Sequence, residues 1–295
     1  MEDVHLQETM TNSTVLAFWS SGAYTPMAMI AAACASRNAG TDVDRIVVVT
    51  PDDVPEECRS PGVDIVKDDV PGRVLHYIRK PIWWNRLCQS HALVVGLDAD
   101  AMVLGSLSAA MVEATGFDFA AVVADSSYMT NAPTVPPSHG EEWARSDVLS
   151  RLRLCPDKGQ SLRSFYKLPS DSVLIRSKYF AVAFMFMLAT RATMQMLART
   201  TAYGLAHKHA EKLAVWPENT PMNCAAVEAK AGWSELHPAM YSSDRPCPDK
   251  RIWHMDGFKP GRKLSDALQD RADDVAAACK TSNLDLEHPF LASVW

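Results

Sequence analysis

The sequence has no Gly-x-Gly-x-x-Gly after its first apolar run, no Cys-x-x-Cys pair, no excess of basic residues and no apolar stretch long enough to cross a bilayer. Each absence narrows the field. Without the glycine pattern there is no dinucleotide fingerprint. The seven cysteines, at positions 34, 58, 88, 155, 224, 247 and 279, form an odd set, so reduced thiols in a cytosolic-type compartment are expected rather than a disulfide frame. With 29 basic against 35 acidic residues and a net charge of -6, a nucleic-acid-binding surface is not expected. Residues 1–11 carry Glu2, Asp3 and Glu8 and no apolar core, which does not describe a secretory signal. A soluble, cytoplasmic protein without a transmembrane segment is the expectation, with membrane contact at its periphery at most.

What is present is a chain of 295 residues with 47% hydrophobic content, enough to bury a sizeable core. That length suits one large α/β domain, or one domain with an appendage. Residues 15–18 are apolar and end in Trp19-Ser20-Ser21-Gly22; residues 23–38, rich in Ala and Met, follow as a helix, and residues 45–50 as a β-branched strand. This is a βαβ opening, with residues 63–66 as a short third strand. The Ser-Ser-Gly turn has backbone amides to offer a ligand. Tyr24, one turn into the helix, suits either stacking on a base or packing at the helix start.

A basic and aromatic segment, residues 77–87, contains Arg79, Lys80, Pro81, Trp83 and Trp84. Pro81 predicts a helix boundary near Lys80. Lys80 is a candidate for contact with phosphates or a transferred group; on the alternative reading the segment is a surface helix anchored by Trp83 or Trp84.

Residues 92–97 read as a central strand of a parallel sheet, and the chain leaves them at Asp98-Ala99-Asp100. Ligands of open α/β sheets sit outside the carboxyl ends of the strands, where two carboxylates can hold a metal over a phosphate. Extended backbone would point both the same way. The competing reading is a turn stabilised by Asp side chains. Beyond it a short strand at 102–104, a helix at 108–113 and a strand at 117–124 are predicted. Residues 126–178 break the pattern and read as an acceptor-side loop or lid.

A strand at 179–188 and a helix at 191–199 capped by Thr190 follow, with Met194 and Leu197 on an apolar face. A helix then begins within Glu218-Asn219-Thr220-Pro221-Met222-Asn223 and runs to about Lys230. In Trp253-His254-Met255-Asp256-Gly257-Phe258-Lys259-Pro260, His254 suits a metal ligand, Gly257 close backbone approach and Lys259 a phosphate. Residues 265–280 read as an exposed helix.

Taken together these pieces resemble the retaining family 8 glycosyltransferases, the glycogenin-like group, over roughly residues 15–262. Leu97-Asp98-Ala99-Asp100-Ala101-Met102-Val103-Leu104 looks like that family's LDADxxVL segment, and the stretch from His254 to Pro260 is similar to its HxxGxxKPW or HxxGxKPW motif. Ala23-Tyr24 matches the position whose Tyr stacks on uracil. Lys80 with Trp84 matches a KxxxW element, and the stretch from Glu218 to Asn223 a DQxxxN segment near the transferred sugar. The resemblance implies an α/β GT-A fold, a Rossmann-like nucleotide-diphospho-sugar transferase architecture with a mostly parallel central sheet flanked by helices. It implies a tail over residues 1–12, a single GT-A domain over 13–263 with 126–178 as insertion or lid, and a C-terminal helix and tail over 264–295.

It further implies a Mn2+ (or Mg2+) ion on Asp98, Asp100 and His254. The UDP-sugar site it implies comprises Phe18, Trp19, Ser20, Tyr24, Asp98, Ala99, Asp100, Gly257 and Lys259, with Glu218, Asn219 and Lys80 at the reacting sugar. The expected activity is metal-dependent retaining transfer from a UDP-sugar to an unidentified glycan, protein or small-molecule acceptor. There are departures. Phe180-Ala181-Val182-Ala183 stands where the family has FNSG, so an Asn that commonly helps hold the sugar is missing. Glu218 and Asn219 replace Asp and Gln, and Gly261 replaces the Trp after Lys-Pro. Two rival readings stay open: a haloacid-dehalogenase-type phosphatase, whose nucleophile and acid also form an Asp-x-Asp pair and whose later carboxylates Asp273 and Asp274 could imitate, and a sugar-nucleotide-binding protein that has lost transfer.

Overall fold

The computed structural model describes residues 11–72, 74, 76–124, 179–206, 219–237, 240–242, 246, 249–255 and 272–284. The chain opens with strand β1 (Thr11–Trp19), helix α1 (Thr25–Ala39), β2 (Arg45–Thr50) and β3 (Val63–Lys67). Helix α2 (His76–Cys88) then leads into β4 (His91–Leu97) and β5 (Ala101–Val103). They are followed by α3 (Ser108–Ala114), β6 (Phe119–Ala124), β7 (Tyr179–Leu188), α4 (Arg191–Ala206) and α5 (Asn219–Ala229). Short strands β8 (Trp233–Glu235), β9 (Tyr241–Ser242) and β10 (Ile252–His254), and helix α6 (Ala272–Thr281), complete the described elements. β1 begins inside the span expected as an N-terminal tail.

Seven strands form one sheet in the order β3-β2-β1-β4-β7-β6-β8. Only β7 runs against its neighbours, pairing antiparallel with both β4 and β6. This is the mixed, mostly parallel α/β architecture expected. Its strands are apolar on both faces because helices cover both. Along β1, Leu16 and Phe18 enter one core while Val15, Ala17 and Trp19 enter the other. Along β4, Leu93, Val95 and Leu97 share the first core and Val94 the second. The first core holds α1, α3 and α6; the second holds α2, α4 and α5. Helix α1 starts with Pro26 in its first turn, where no intrahelical N–H is needed. Its alanines, among them Ala28, Ala31, Ala32 and Ala35, are fully buried and let the helix lie close on the sheet.

Three expectations are corrected. Pro81 lies inside α2 instead of ending a helix near Lys80. It costs one backbone hydrogen bond, and side-chain bonds from the residues around it hold the turn, as described below. Residues 98–100 form a turn, with the Ala101 N–H donating to the Asp98 carbonyl at 3.0 Å, so extended backbone is not what aims the two carboxylates. The C-terminal helix is not simply exposed: Val275, Ala278 and Cys279 belong to the first core, and the Asn38 amide of α1 donates to Ser282 Oγ at 2.8 Å. In α4 the Thr190 cap is present, its Oγ1 accepting from the Thr193 N–H at 3.1 Å. Met196 and Leu197 are the buried side chains there, with Met194 packed beside them. Among the described residues no helix is long and apolar enough to cross a membrane.

Candidate active site

Strand β4 ends at Leu97, and the Asp98 N–H donates to the Ala183 carbonyl of β7 at 2.8 Å. The turn after it feeds β5, which pairs with β10 so that His254 faces Ala101 across the ladder. The Met255 N–H then closes on the Asp100 carbonyl at 3.0 Å. A second, three-stranded sheet in the order β5-β10-β9 is thus the device that brings a residue from far along the chain to the Asp pair. One ligand atom from each of Asp98, Asp100 and His254 lies within 4.8 Å of the others. His254 Nε2 is 3.4 Å from Asp100 Oδ1 and 3.7 Å from Asp98 Oδ2. The Phe184 ring, its centroid 6.2 Å away, stands edge-on to the imidazole.

Lys80 of α2 donates to Asp98 Oδ1. The Lys80 side chain is 10% exposed and that of Asp98 18%, so the pair is shielded but reachable. Burial alone would push the Asp100 carboxyl up; the charge and hydrogen bond of His254 and the charge of Lys80 outweigh it and hold it below the usual carboxylate range. Tyr24 is 42% exposed at the edge of this cluster. Burial, then the charges of Asp100 and Asp98, push its hydroxyl up against the opposing effect of Lys80, so the ring stands beside the acidic pair as a neutral phenol.

Lys80, Tyr24, Asp98, Asp100 and His254 are therefore brought together. Phe18 is fully buried in the first core, and Ala99 is also a core residue. Trp19 turns its indole to Asp68, at 3.0 Å. Ser20 is buried, with its Oγ donating to Thr25 Oγ1 at 3.3 Å. The Ser-Ser-Gly turn is less open to a ligand than expected: the Ser20 N–H bonds the Val49 carbonyl at 3.0 Å and the Gly22 N–H bonds Asp52 Oδ2 at 2.6 Å. Asn219 opens α5. Glu218, Gly257, Lys259 and residues 126–178 lie outside the described residues.

Two arrangements went unread in the sequence. Asp68 accepts from Trp19, Trp83, Arg79 and the Val70 N–H. Burial would raise its carboxyl, but those hydrogen bonds win and lower it. Asn223 clamps Phe180 by accepting from its N–H at 3.1 Å and donating to its carbonyl at 2.8 Å. Only the polarity of Asp68 after an apolar strand hinted at the first; its side-chain partners Arg79, Trp83 and Trp19 lie well away in sequence.

No protein-family model matches the chain, and no curated protein matches its sequence. Solved structures do match. The bifunctional glycosyltransferase WbbM, in its apo form, is 12% identical with a TM-score of 0.56, over 96% of this chain and 52% of WbbM. The galactosyltransferase LgtC in complex with donor and acceptor sugar analogs is 10% identical, with a TM-score of 0.49 over 91% of this chain and 95% of that one. An active-site mutant of LgtC gives 10% identity and a TM-score of 0.49 over 90% and 95%. The likeness to WbbM shows the fold alone: the chain shares the mostly parallel α/β fold of that glycosyltransferase. It spans about half the length of WbbM.

Proposed function

We propose that this chain is a metal-dependent retaining glycosyltransferase that moves a sugar from a UDP-sugar to an acceptor. The carrying observation is the convergence of Asp98, Asp100 and His254 at the carboxyl end of β4, within 4.8 Å of one another, in a GT-A fold. The donor set suits the group: two carboxylates and an imidazole are oxygen and nitrogen ligands of the kind Mn2+ accepts. Both carboxylates are partly shielded, so a cation between them relieves their repulsion. A bound ion there would supply electrostatic stabilisation of charge developing on a departing diphosphate.

The protein's own groups have distinct parts. Asp100, its carboxyl held low by His254 and Lys80, and Asp98, partnered by Lys80, form the ligand pair. The ladder between β5 and β10 orients His254. Lys80 adds a fixed positive charge on the side of α2, close to where the leaving group loads. Tyr24 offers a half-exposed ring on which uracil would stack. From the family resemblance, Gly257 and Lys259 are assigned to the diphosphate and Glu218 and Asn219 to the sugar. Phe180-Ala181-Val182-Ala183 supplies no polar side chain at the position of the missing Asn, and this is where donor choice would differ from the family.

A thermal-shift screen tests the reading, since a ligand of the native state raises the melting point. UDP with Mn2+ is expected to raise it more than either alone, and release of UDP from a donor panel to require Mn2+ and vanish in Asp100→Ala. Metal-independent release overturns the proposal. Binding of UDP and Mn2+ without hydrolysis or transfer identifies a binding protein instead, and trapping of an aspartyl-phosphate a phosphatase.

A further inference from the structure

The carboxylate of Asp68 is closed to solvent, at 0% side-chain exposure. Its Oδ1 accepts from the Val70 N–H and the Trp83 indole, both at 2.9 Å. Its Oδ2 accepts from the Trp19 indole at 3.0 Å and from Arg79 Nη1 at 2.6 Å. A buried charge is tolerated only when its partners are complete, and four donors saturate this carboxylate. Arg79 is engaged on its other nitrogens as well: Nε donates to the Val74 carbonyl at 3.1 Å and Nη2 to the Pro71 carbonyl at 2.9 Å.

What the cluster joins gives it a role. Trp19 is the last residue of β1 and leads directly to the segment that carries Tyr24. Arg79 and Trp83 are four residues apart on α2 and so share one face; Lys80 and Trp84 share the next face, about 100° round the helix. Fixing the first face fixes the rotation of the helix and therefore the direction of Lys80. This matters because Pro81, inside α2, removes the N–H that would bond the carbonyl four residues back. The bonds of Arg79 and Trp83 to Asp68 hold the helix on both sides of that gap.

We propose that Asp68, acting through Arg79 and Trp83, is a positioning residue that sets Lys80 against Asp98 and, through Trp19, holds the Tyr24 side of the site in register with it. The inference rests on the reading of the site as a glycosyl-transfer centre, but its central claim concerns where Lys80 points.

The experiment therefore has two arms. In the first, the folded protein is exposed briefly to an amine-acetylating reagent, and labelling of Lys80 is measured by mass spectrometry against the exposed Lys280. Wild-type Lys80 is expected to be protected. Asp68→Asn keeps the shape and removes the charge, and Arg79→Lys keeps the charge and removes the fork; each is expected to raise Lys80 labelling about tenfold, as for a locally opened segment. If Lys80 stays protected in both variants while only the melting point falls, the cluster is structural ballast and the proposal is overturned. Should Asp68→Asn fail to fold, Trp83→Phe removes one of the four donors and keeps an aromatic ring. Faster labelling in that variant supports the proposal, and labelling at the wild-type rate overturns it.

In the second arm, UDP binding with Mn2+ and hydrolysis of a UDP-sugar are compared. Asp68→Asn is expected to keep KM within a few-fold while kcat falls about 100-fold, the cost of misplacing a group by about 1 Å; equal kcat overturns positioning. If wild-type protein binds no UDP, the transfer reading fails, and the labelling arm still decides the position of Lys80.

Discussion

The indole of Trp84 lies directly on Gly96: a Cβ at that glycine would come 2.4 Å from Trp84 Cε2 and 2.8 Å from Nε1. One helical turn before Trp84 is Lys80, and two strand residues beyond Gly96 is Asp98, its partner. A turn of α2 advances about 6 Å over four residues and β4 about 6.6 Å over two. The match lets a helix running antiparallel to β4 make both contacts, and the absent side chain at Gly96 sets how closely α2 approaches the sheet.

Gly96→Ala is therefore expected to destabilise the fold by about 1–3 kcal/mol, the usual cost of overpacking a core, and to weaken the Lys80 contact with Asp98. Urea unfolding checks the first effect. Combining it with Trp84→Phe, which shortens the ring above the new methyl, is expected to recover part of the loss; a neutral Gly96→Ala contradicts the close packing.

Lys80→Met removes the positive charge beside Asp98 without adding a polar group. If Lys80 serves the departing diphosphate and is no metal ligand, Mn2+ should bind the variant more tightly, by about tenfold or more given the charge separation, while UDP release slows. Titration calorimetry with Mn2+ alone reads the first effect. Weaker Mn2+ binding in the variant is the contrary result.

Because burial and the two carboxylates push the Tyr24 hydroxyl up, the ring is a neutral phenol at pH 7 and its hydroxyl is dispensable for stacking. Tyr24→Phe should keep UDP affinity within a few-fold, and Tyr24→Ala should lose about 1–3 kcal/mol, the value of one base on an aromatic platform. Equal losses in both variants would point to a hydrogen-bonding role.

Asp68 makes stability depend on acid in a definite direction. Its folded-state carboxyl is lowered, so the unfolded chain takes up a proton first as pH falls. The stabilisation is complete above the unfolded value of about 4 and is lost as pH drops from there through the folded value. Wild type should lose stability below about pH 4, and Asp68→Asn, weaker at pH 7, should lose less over the same interval. Urea midpoints at several pH values test this; a constant gap between the two proteins removes Asp68 as the source.

The local sequence was sufficient for much of the fold because the apolar runs differ in kind. Residues 45–50 and 92–97 are too short and too β-branched for core helices, and Tyr179–Leu188 is a strand with the bounds that its pattern predicts. The Asp pair could be found for the same reason, since it follows directly from one of these strands. Pro81 misled because local chemistry weighs a proline against its own helix alone, whereas Asp68, outside that helix, ties down Arg79 and Trp83 on either side of the proline.

What the sequence by itself determined is the alternation of strands and helices, the carboxylates at the end of β4, and His254 as their distant candidate partner. Which of these meet was decided by tertiary structure. Strand β10 must pair with β5 for His254 to reach Asp98 and Asp100, and α2 must settle on Gly96 for Lys80 to reach Asp98. The same packing took Phe18 into the core and turned Trp19 to a buried carboxylate, because pairing and close packing act between residues that the chain keeps far apart.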